Sequence, residues 1–314
     1  MKKLVAFLTI VLLPCVAFAA EGVAVNYDVD GQPYEGYFIT PKKNAPFVLM
    51  IHDWDGLTGY EMRRADMLND MGYAVFVADL FGAGVRPTEV KDKRQHTGEL
   101  YTDRDKMRAL MQGALAKAKG LGADTENSVA MGYCFGGAAV LELARSGADM
   151  KGYVSFHGGL TTPEGQDYSE TEGKVLVLHG TADKLISMND FGSLADQLET
   201  AGVDHEMTTY GGAPHAFTVF GSDRYRAEAD RKSWASFARF LALTLQREPT
   251  SPSDGRASGI PLTRRPAIQL FKKAQSKQSS RECRCSAARC PMSSVSQIRI
   301  RTAQRGAGES NALA

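Results

Sequence analysis

Residues 128–145 read SVAMGYCFGGAAVLELAR: a short apolar run, a lone cysteine among close-set glycines, then small and aliphatic helix formers. The stretch predicts a strand, a sharp turn and a helix. A residue at the apex of such a turn takes a strained backbone, and its neighbours two positions away must be small to avoid collision. Gly132 and Gly136 occupy those two positions around Cys134. The pattern has the mechanics of a nucleophile elbow, with a thiol where serine is commoner. The N-terminus of the following helix is expected to favour thiolate over thiol. A buried structural cysteine beside a packing turn is the alternative, and the strand-to-helix context weighs against it.

Outward from the elbow, short apolar runs alternate with helical patterns. Phe47 to His52, Tyr73 to Asp79, Ser128 to Met131, Tyr153 to Phe156 and Val175 to Leu178 are almost uniformly apolar. Such uniformity fits parallel strands covered on both faces. His205 to Tyr210 is a sixth, more alternating strand, and Val23 to Tyr27 and Pro33 to Ile39 flank Asp30-Gly31 as an antiparallel edge hairpin. Met107, Leu110, Met111, Ala114 and Leu115 form one buried helical stripe. Phe191, Leu194 and Leu198 form a second, with Gly202 as its C-cap, and Trp234, Phe237, Leu241 and Leu245 a third. The alternation predicts a three-layer α/β sandwich with a mostly parallel sheet.

Charge and cysteine usage divide the 314 residues into three parts. Lys2 and Lys3, an apolar run from Leu4 to Phe18 and Ala17-Phe18-Ala19 read as a cleaved secretory signal over residues 1–20. The run is too short to span a bilayer, so no membrane span is expected after cleavage, and the product is expected in the periplasm or outside the cell. Residues 21–246 carry 22 Lys and Arg against 32 Asp and Glu, a net charge of −10. That acidity argues against nucleic acid and anionic membrane surfaces as partners. Residues 247–314 carry 13 Lys and Arg against 4 Asp and Glu with no apolar period, a composition expected to stay disordered. Cys15 falls in the signal and Cys283, Cys285 and Cys290 in the tail, where no fourth ligand makes a zinc site. Cys134 is the only cysteine of the central domain, so no disulfide forms within it.

An acid and a histidine follow the cysteine in the order an elbow requires. "KVLVLHGTADKLI" exposes Asp183 beyond a strand end, and "YGGAPHAFTVF" presents His215 in a Gly/Pro loop. Each taken alone has an ordinary reading, a helix cap or a loop histidine. Together they make a candidate Cys134–His215–Asp183 triad, in which His215 holds or deprotonates the thiol and Asp183 sets its tautomer. The candidate oxyanion donors are the backbone N–H groups of Phe135 and of Trp54, in "HDWDGLTG". Asp53 in that loop either aims its carboxylate at the same sheet edge or, like Asp55, makes a turn or caps the helix near Tyr60. Tyr133 is expected to line the pocket, and His157, at the end of a strand, is a candidate for the same wall.

With these residues in place, the chain resembles the dienelactone hydrolase family of the α/β-hydrolase superfold. The resemblance rests on "HDWDGL", "VADLFG", "GYCFGG", "HGTADKLI" and "PHAF", in that order across residues 21–246. It implies hydrolysis of a small-molecule lactone or ester through a thioester intermediate, with no cofactor and no metal. Members often carry a glutamate in the first loop that interacts with the resting thiol; Asp53 stands there with a shorter reach. The best-known members also bind a substrate carboxylate with arginines. Here "HAFTVF" offers Val219 and no arginine before Arg224, and Arg86 in "FGAGVRP" is matched to the other position or is an ordinary surface arginine. A binding protein that uses the same pocket without catalysis is the competing reading, and the oligomeric state is open.

Overall fold

The computed structural model describes residues 21–245. The signal-like segment 1–20 and the tail from residue 246, with Cys283, Cys285 and Cys290, lie outside the described residues.

Eight strands form one sheet in the order β1-β2-β4-β3-β5-β6-β7-β8. β1 (Val23–Val29) and β2 (Gln32–Ile39) make the antiparallel edge hairpin around Asp30-Gly31. β2 then pairs antiparallel with β4 (Ala74–Ala78). From β4 onward the pairing is parallel, through β3 (Pro46–Ile51), β5 (Asp124–Tyr133), β6 (Gly152–Phe156), β7 (Lys174–Gly180) and β8 (His205–Tyr210). The fold is a three-layer α/β-hydrolase sandwich. β5 begins four residues earlier than its apolar run, because Asp124 to Asn127 are only partly covered and carry no hydrophobic signal.

Every residue of β3 and β4 is buried, and their side chains alternate between two cores. Phe47, Leu49 and Ile51 join Met107, Met111, Val140, Leu194 and Leu198, under α3 (Arg104–Gly120), α4 (Phe135–Arg145) and α5 (Met188–Ala201). Val48 and Met50 join Ala65, Leu68, Phe237 and Leu241, under α1 (Gly59–Asp70) and α6 (Ala227–Thr244). Period-two alternation therefore feeds one core per face. One further helix, α2 (Val90–Thr102), has no apolar stripe; only Thr97 and Leu100 are buried in it. Hydrophobic period gives no sign of it.

Behind the carboxyl ends of the strands, α1 and α6 are tied together by a buried ion pair. Arg64 donates to Asp230 at 2.5 Å and to the Thr218 carbonyl at 2.8 Å, in the loop that follows His215. Removing one member of a buried pair leaves the other charge uncompensated at a cost of about 3–5 kcal/mol. Asp230→Ala should therefore lower stability by that order, read as a shift in the urea midpoint of the full chain. A shift within ~0.5 kcal/mol, the range of a neutral surface change, would contradict this account of the pair.

Candidate active site

Cys134 sits between β5 and α4 with φ 50° and ψ −112°, in the left-handed region that side chains rarely adopt. Its N–H donates to the Phe156 carbonyl at 3.0 Å, and its carbonyl accepts from Ala138 at 3.2 Å. The turn is possible only because the chain on either side can close in. A Cβ on Gly132 would lie 2.3 Å from the Gly136 carbonyl carbon, and one on Gly136 would lie 2.4 Å from the Ile51 carbonyl oxygen.

Three chain-distant side chains meet at this turn. His215 Nε2 lies 3.0 Å from Cys134 Sγ, and His215 Nδ1 lies 2.8 Å from Asp183 Oδ2. The other Asp183 oxygen accepts the N–H groups of Leu185 and Ile186 at 2.8 and 3.0 Å. Asp183 thus serves its own turn and the histidine at once. Burial pushes its carboxyl upward, but the hydrogen bond and charge of His215, with those two N–H groups, outweigh this and hold it below its usual range. An ionised Asp183 only accepts, so the ring proton belongs on Nδ1 and Nε2 faces the sulfur as a base.

The loop after β3 supplies the opposing wall. Glu61, buried in the first turn of α1, accepts the N–H of Asp53 at 3.3 Å and closes a capping box with Thr58. The α1 cap is therefore Thr58, which leaves Asp53 free to face the sulfur. Asp53 shares the cavity wall with Cys134, and its carboxylate acts on the thiol. Its Oδ1 also accepts the Trp54 N–H at 2.5 Å. Burial and the neighbouring Asp55 raise the Asp53 carboxyl to about 6, partly offset by the Trp54 N–H.

The same surroundings set the state of the cysteine. Burial pushes its thiol well above the ordinary value, and the charge and hydrogen bond of Asp53 add to this; the Phe135 N–H opposes them and loses. The resting group is a thiol. The expectation of a thiolate favoured by the helix N-terminus is thus not met, because a partial dipolar charge is outweighed by desolvation and a facing carboxylate.

A cavity of about 150 Å³ opens over the sulfur. Asp53, Trp54, Cys134, Phe135 and His215 line it, together with Ile186, Leu185 and Ala216. Three further lining residues, Arg94, Thr97 and Tyr101, come from α2, and Arg224 closes the rim. The α2 residues went unseen because a polar helix carries no periodic signal, and only packing brings it over the elbow.

Three sequence expectations are corrected. Tyr133 does not line the cavity; it precedes the elbow on β5, so strand alternation turns it into the opposite core against Tyr60 and Phe156. Arg86 lies outside the cavity, donating to the Val85 carbonyl at 2.7 Å and pairing with Glu35 and Asp79 at 3.6 and 3.7 Å. His157 is fully buried behind His215, with ring centroids 5.4 Å apart, and its Nε2 bonds Thr218 Oγ1 at 2.8 Å. Burial, then the neighbouring His215, holds its pKa well below the ordinary range, so it packs as a neutral ring. Among the described residues no three His, Cys, Asp or Glu side chains gather as metal ligands, and no helix is long and apolar enough to cross a membrane.

Known proteins resemble this architecture. The model of the dienelactone hydrolase family matches residues 34–245. A solved structure named m3DLH is 29% identical, with a TM-score of 0.69 over 73% of this chain and 100% of its own. A dienelactone hydrolase-like promiscuous phosphotriesterase from metagenomic libraries is also 29% identical, with a TM-score of 0.68 over the same shares. A protein of Aquifex aeolicus provisionally named carboxymethylenebutenolidase is 24% identical over 238 residues, which is 72% of this chain and 100% of that one.

The electrostatics make the thiol's reactivity a readout of Asp53. Asp53→Asn removes the negative charge facing the sulfur, so the thiol pKa falls and the thiolate fraction rises. Iodoacetamide alkylation of Cys134 at pH 7.5 should accelerate about tenfold, one pKa unit's worth. An unchanged or slower rate would show that Asp53 does not hold the proton on sulfur.

Proposed function

The chain belongs to the dienelactone hydrolase family, and from that premise we propose that it hydrolyses small lactones or carboxylic esters with Cys134 as nucleophile. The observation that carries this reading is the pair of contacts made by one ring, His215 Nε2 at 3.0 Å from Cys134 Sγ and Nδ1 at 2.8 Å from Asp183.

In this reading a substrate carbonyl enters over the sulfur, and Asp53 gives up its hold on the Trp54 N–H. His215 takes the thiol proton as the sulfur attacks the carbonyl carbon. The Phe135 N–H and the vacated Trp54 N–H receive the negative oxygen. The imidazolium, stabilised by Asp183, passes its proton to the departing alkoxide and leaves a thioester. Water, deprotonated by His215, then attacks the thioester; the acid is released and the thiol regains its proton. A neutral resting thiol fits a nucleophile kept out of solution chemistry until substrate disturbs Asp53. Thioesters are readily attacked by water, which favours activated esters and lactones over amides. The signal-like composition of residues 1–20 supports a periplasmic or extracellular setting for this activity, with residues 21–246 as the proposed catalytic unit and the basic tail dispensable.

Steady-state hydrolysis of a panel of lactones and aryl esters by the unaltered chain, Cys134→Ala and Asp183→Asn tests the reading. Turnover should vanish in Cys134→Ala, and kcat should fall about 10²- to 10⁴-fold in Asp183→Asn. Turnover in Cys134→Ala within tenfold of the unaltered protein would rule out the nucleophile. A ligand that raises the melting temperature while no panel member is cleaved would favour a binding protein on this scaffold.

A further inference from the structure

Among the polar groups that line the cavity, the Tyr101 hydroxyl is one that has no hydrogen-bond partner within the described residues. Cys134 is engaged by His215 and Asp53, and Asp53 by the Trp54 N–H. The Thr97 hydroxyl donates back to the Lys93 carbonyl at 2.9 Å. Arg94 and Arg224 are exposed at the rim, where water solvates them. Tyr101 differs: its hydroxyl makes no hydrogen bond among the described residues, although its ring is held from two sides.

The ring stands edge-on to Phe135, with centroids 5.5 Å apart at 77°. On the α3 side the Arg104 guanidinium lies 4.9 Å from the ring centroid. Arg104 is itself pinned, donating to the Tyr101 carbonyl at 2.9 Å and pairing with the buried Glu142 at 3.3 Å. The hydroxyl reaches over Gly159, where a Cβ would lie 3.8 Å from it. Gly159 is also a lining residue, so the space beside the hydroxyl belongs to the cavity. Burial, with Cys134 and Asp53 nearby, raises the phenol's pKa and keeps its proton on.

We propose that Tyr101 is a specificity-determining residue whose hydroxyl donates a hydrogen bond to a second acceptor oxygen of the substrate, one outside the scissile ester group. The inference rests on the hydrolase reading above. A fixed donor in a wall otherwise formed by Trp54, Phe135 and Ile186 is left unpaired by an all-carbon substrate and satisfied by an ether, carbonyl or hydroxyl oxygen in its place. Sites built this way discriminate against the analogue that lacks the polar atom, since binding it strands a desolvated donor.

Two isosteric pairs test this on either side of the scissile bond. On the acyl side the pair is p-nitrophenyl methoxyacetate and p-nitrophenyl butanoate; on the alcohol side it is 2-methoxyethyl acetate and n-butyl acetate. For the unaltered chain and Tyr101→Phe, the ratio of kcat/KM for the ether to that for its alkyl partner is compared within each pair. In at least one pair the ratio should fall about three- to tenfold in Tyr101→Phe, the usual worth of one neutral hydrogen bond, with the change in KM. The melting temperature should not fall, because the hydroxyl has no protein partner to lose. Ratios unchanged within twofold in both pairs, or a lower melting temperature with all four substrates slowed alike, would overturn the proposal. No cleavage of any of the four by the unaltered chain would count against the hydrolase reading itself.

Discussion

The backbone turn at Cys134 is the constraint to which the rest of the site conforms. A side chain held at φ 50° costs on the order of 1–3 kcal/mol, and surrounding contacts must sustain it. They do so by close approach: Gly136 leaves room for the Ile51 and His52 carbonyls, and Gly132 leaves room for the start of α4. The elbow is therefore wedged between β3 and its own helix. That wedge lifts the sulfur off the sheet edge and aims the first N–H of α4 at it. It also brings the loop after β3 within reach, so the same packing that sustains the strain assembles the facing wall.

Two opposed groups then share the thiol. His215, tethered by an ionised Asp183, offers a base 3.0 Å away. Asp53, held by Glu61 through its N–H and bonded to Trp54, offers a negative charge that keeps the proton on sulfur. The balance is electrostatic, and burial tips it toward the protonated thiol. Because the Trp54 N–H is engaged by Asp53, a group competing for that donor also weakens the grip on the thiol. In the proposed reaction, one side chain thereby couples the acceptance of a negative oxygen to the release of the thiol.

Support for this arrangement lies on the far side of the sheet. Arg64 fastens the loop after His215 through the Thr218 carbonyl, and Thr218 in turn bonds His157 and Tyr60. On the other face, Glu142 gathers Arg104, Arg108 and Arg145, which fixes α3 against α4 and so fixes the end of α2 that carries Tyr101. Buried charge is tolerated in both networks because each ion is paired and hydrogen-bonded.

The succession of strands, the elbow and the Cys134, Asp183 and His215 motifs were legible in the amino-acid sequence because each has a local signature. Apolar runs announce buried strands, glycines two residues from an apex announce close backbone approach, and motif order along the chain orients the acid and the histidine. What no short window holds was decided by the tertiary structure. Tyr133 and Cys134 are neighbours, yet strand alternation at the end of β5 sends one into the core beneath α1 while the turn sends the other into the cavity. The polar helix α2 reaches the cavity only by lying over the elbow, which puts Arg94 and Tyr101 on its wall while Arg86 stays outside. The protonation of the cysteine is likewise a long-range property, since it depends on burial and on a carboxylate about eighty positions away in the chain. Periodicity and turn chemistry act over a few residues, whereas desolvation and charge act through space, and only the fold sets those distances.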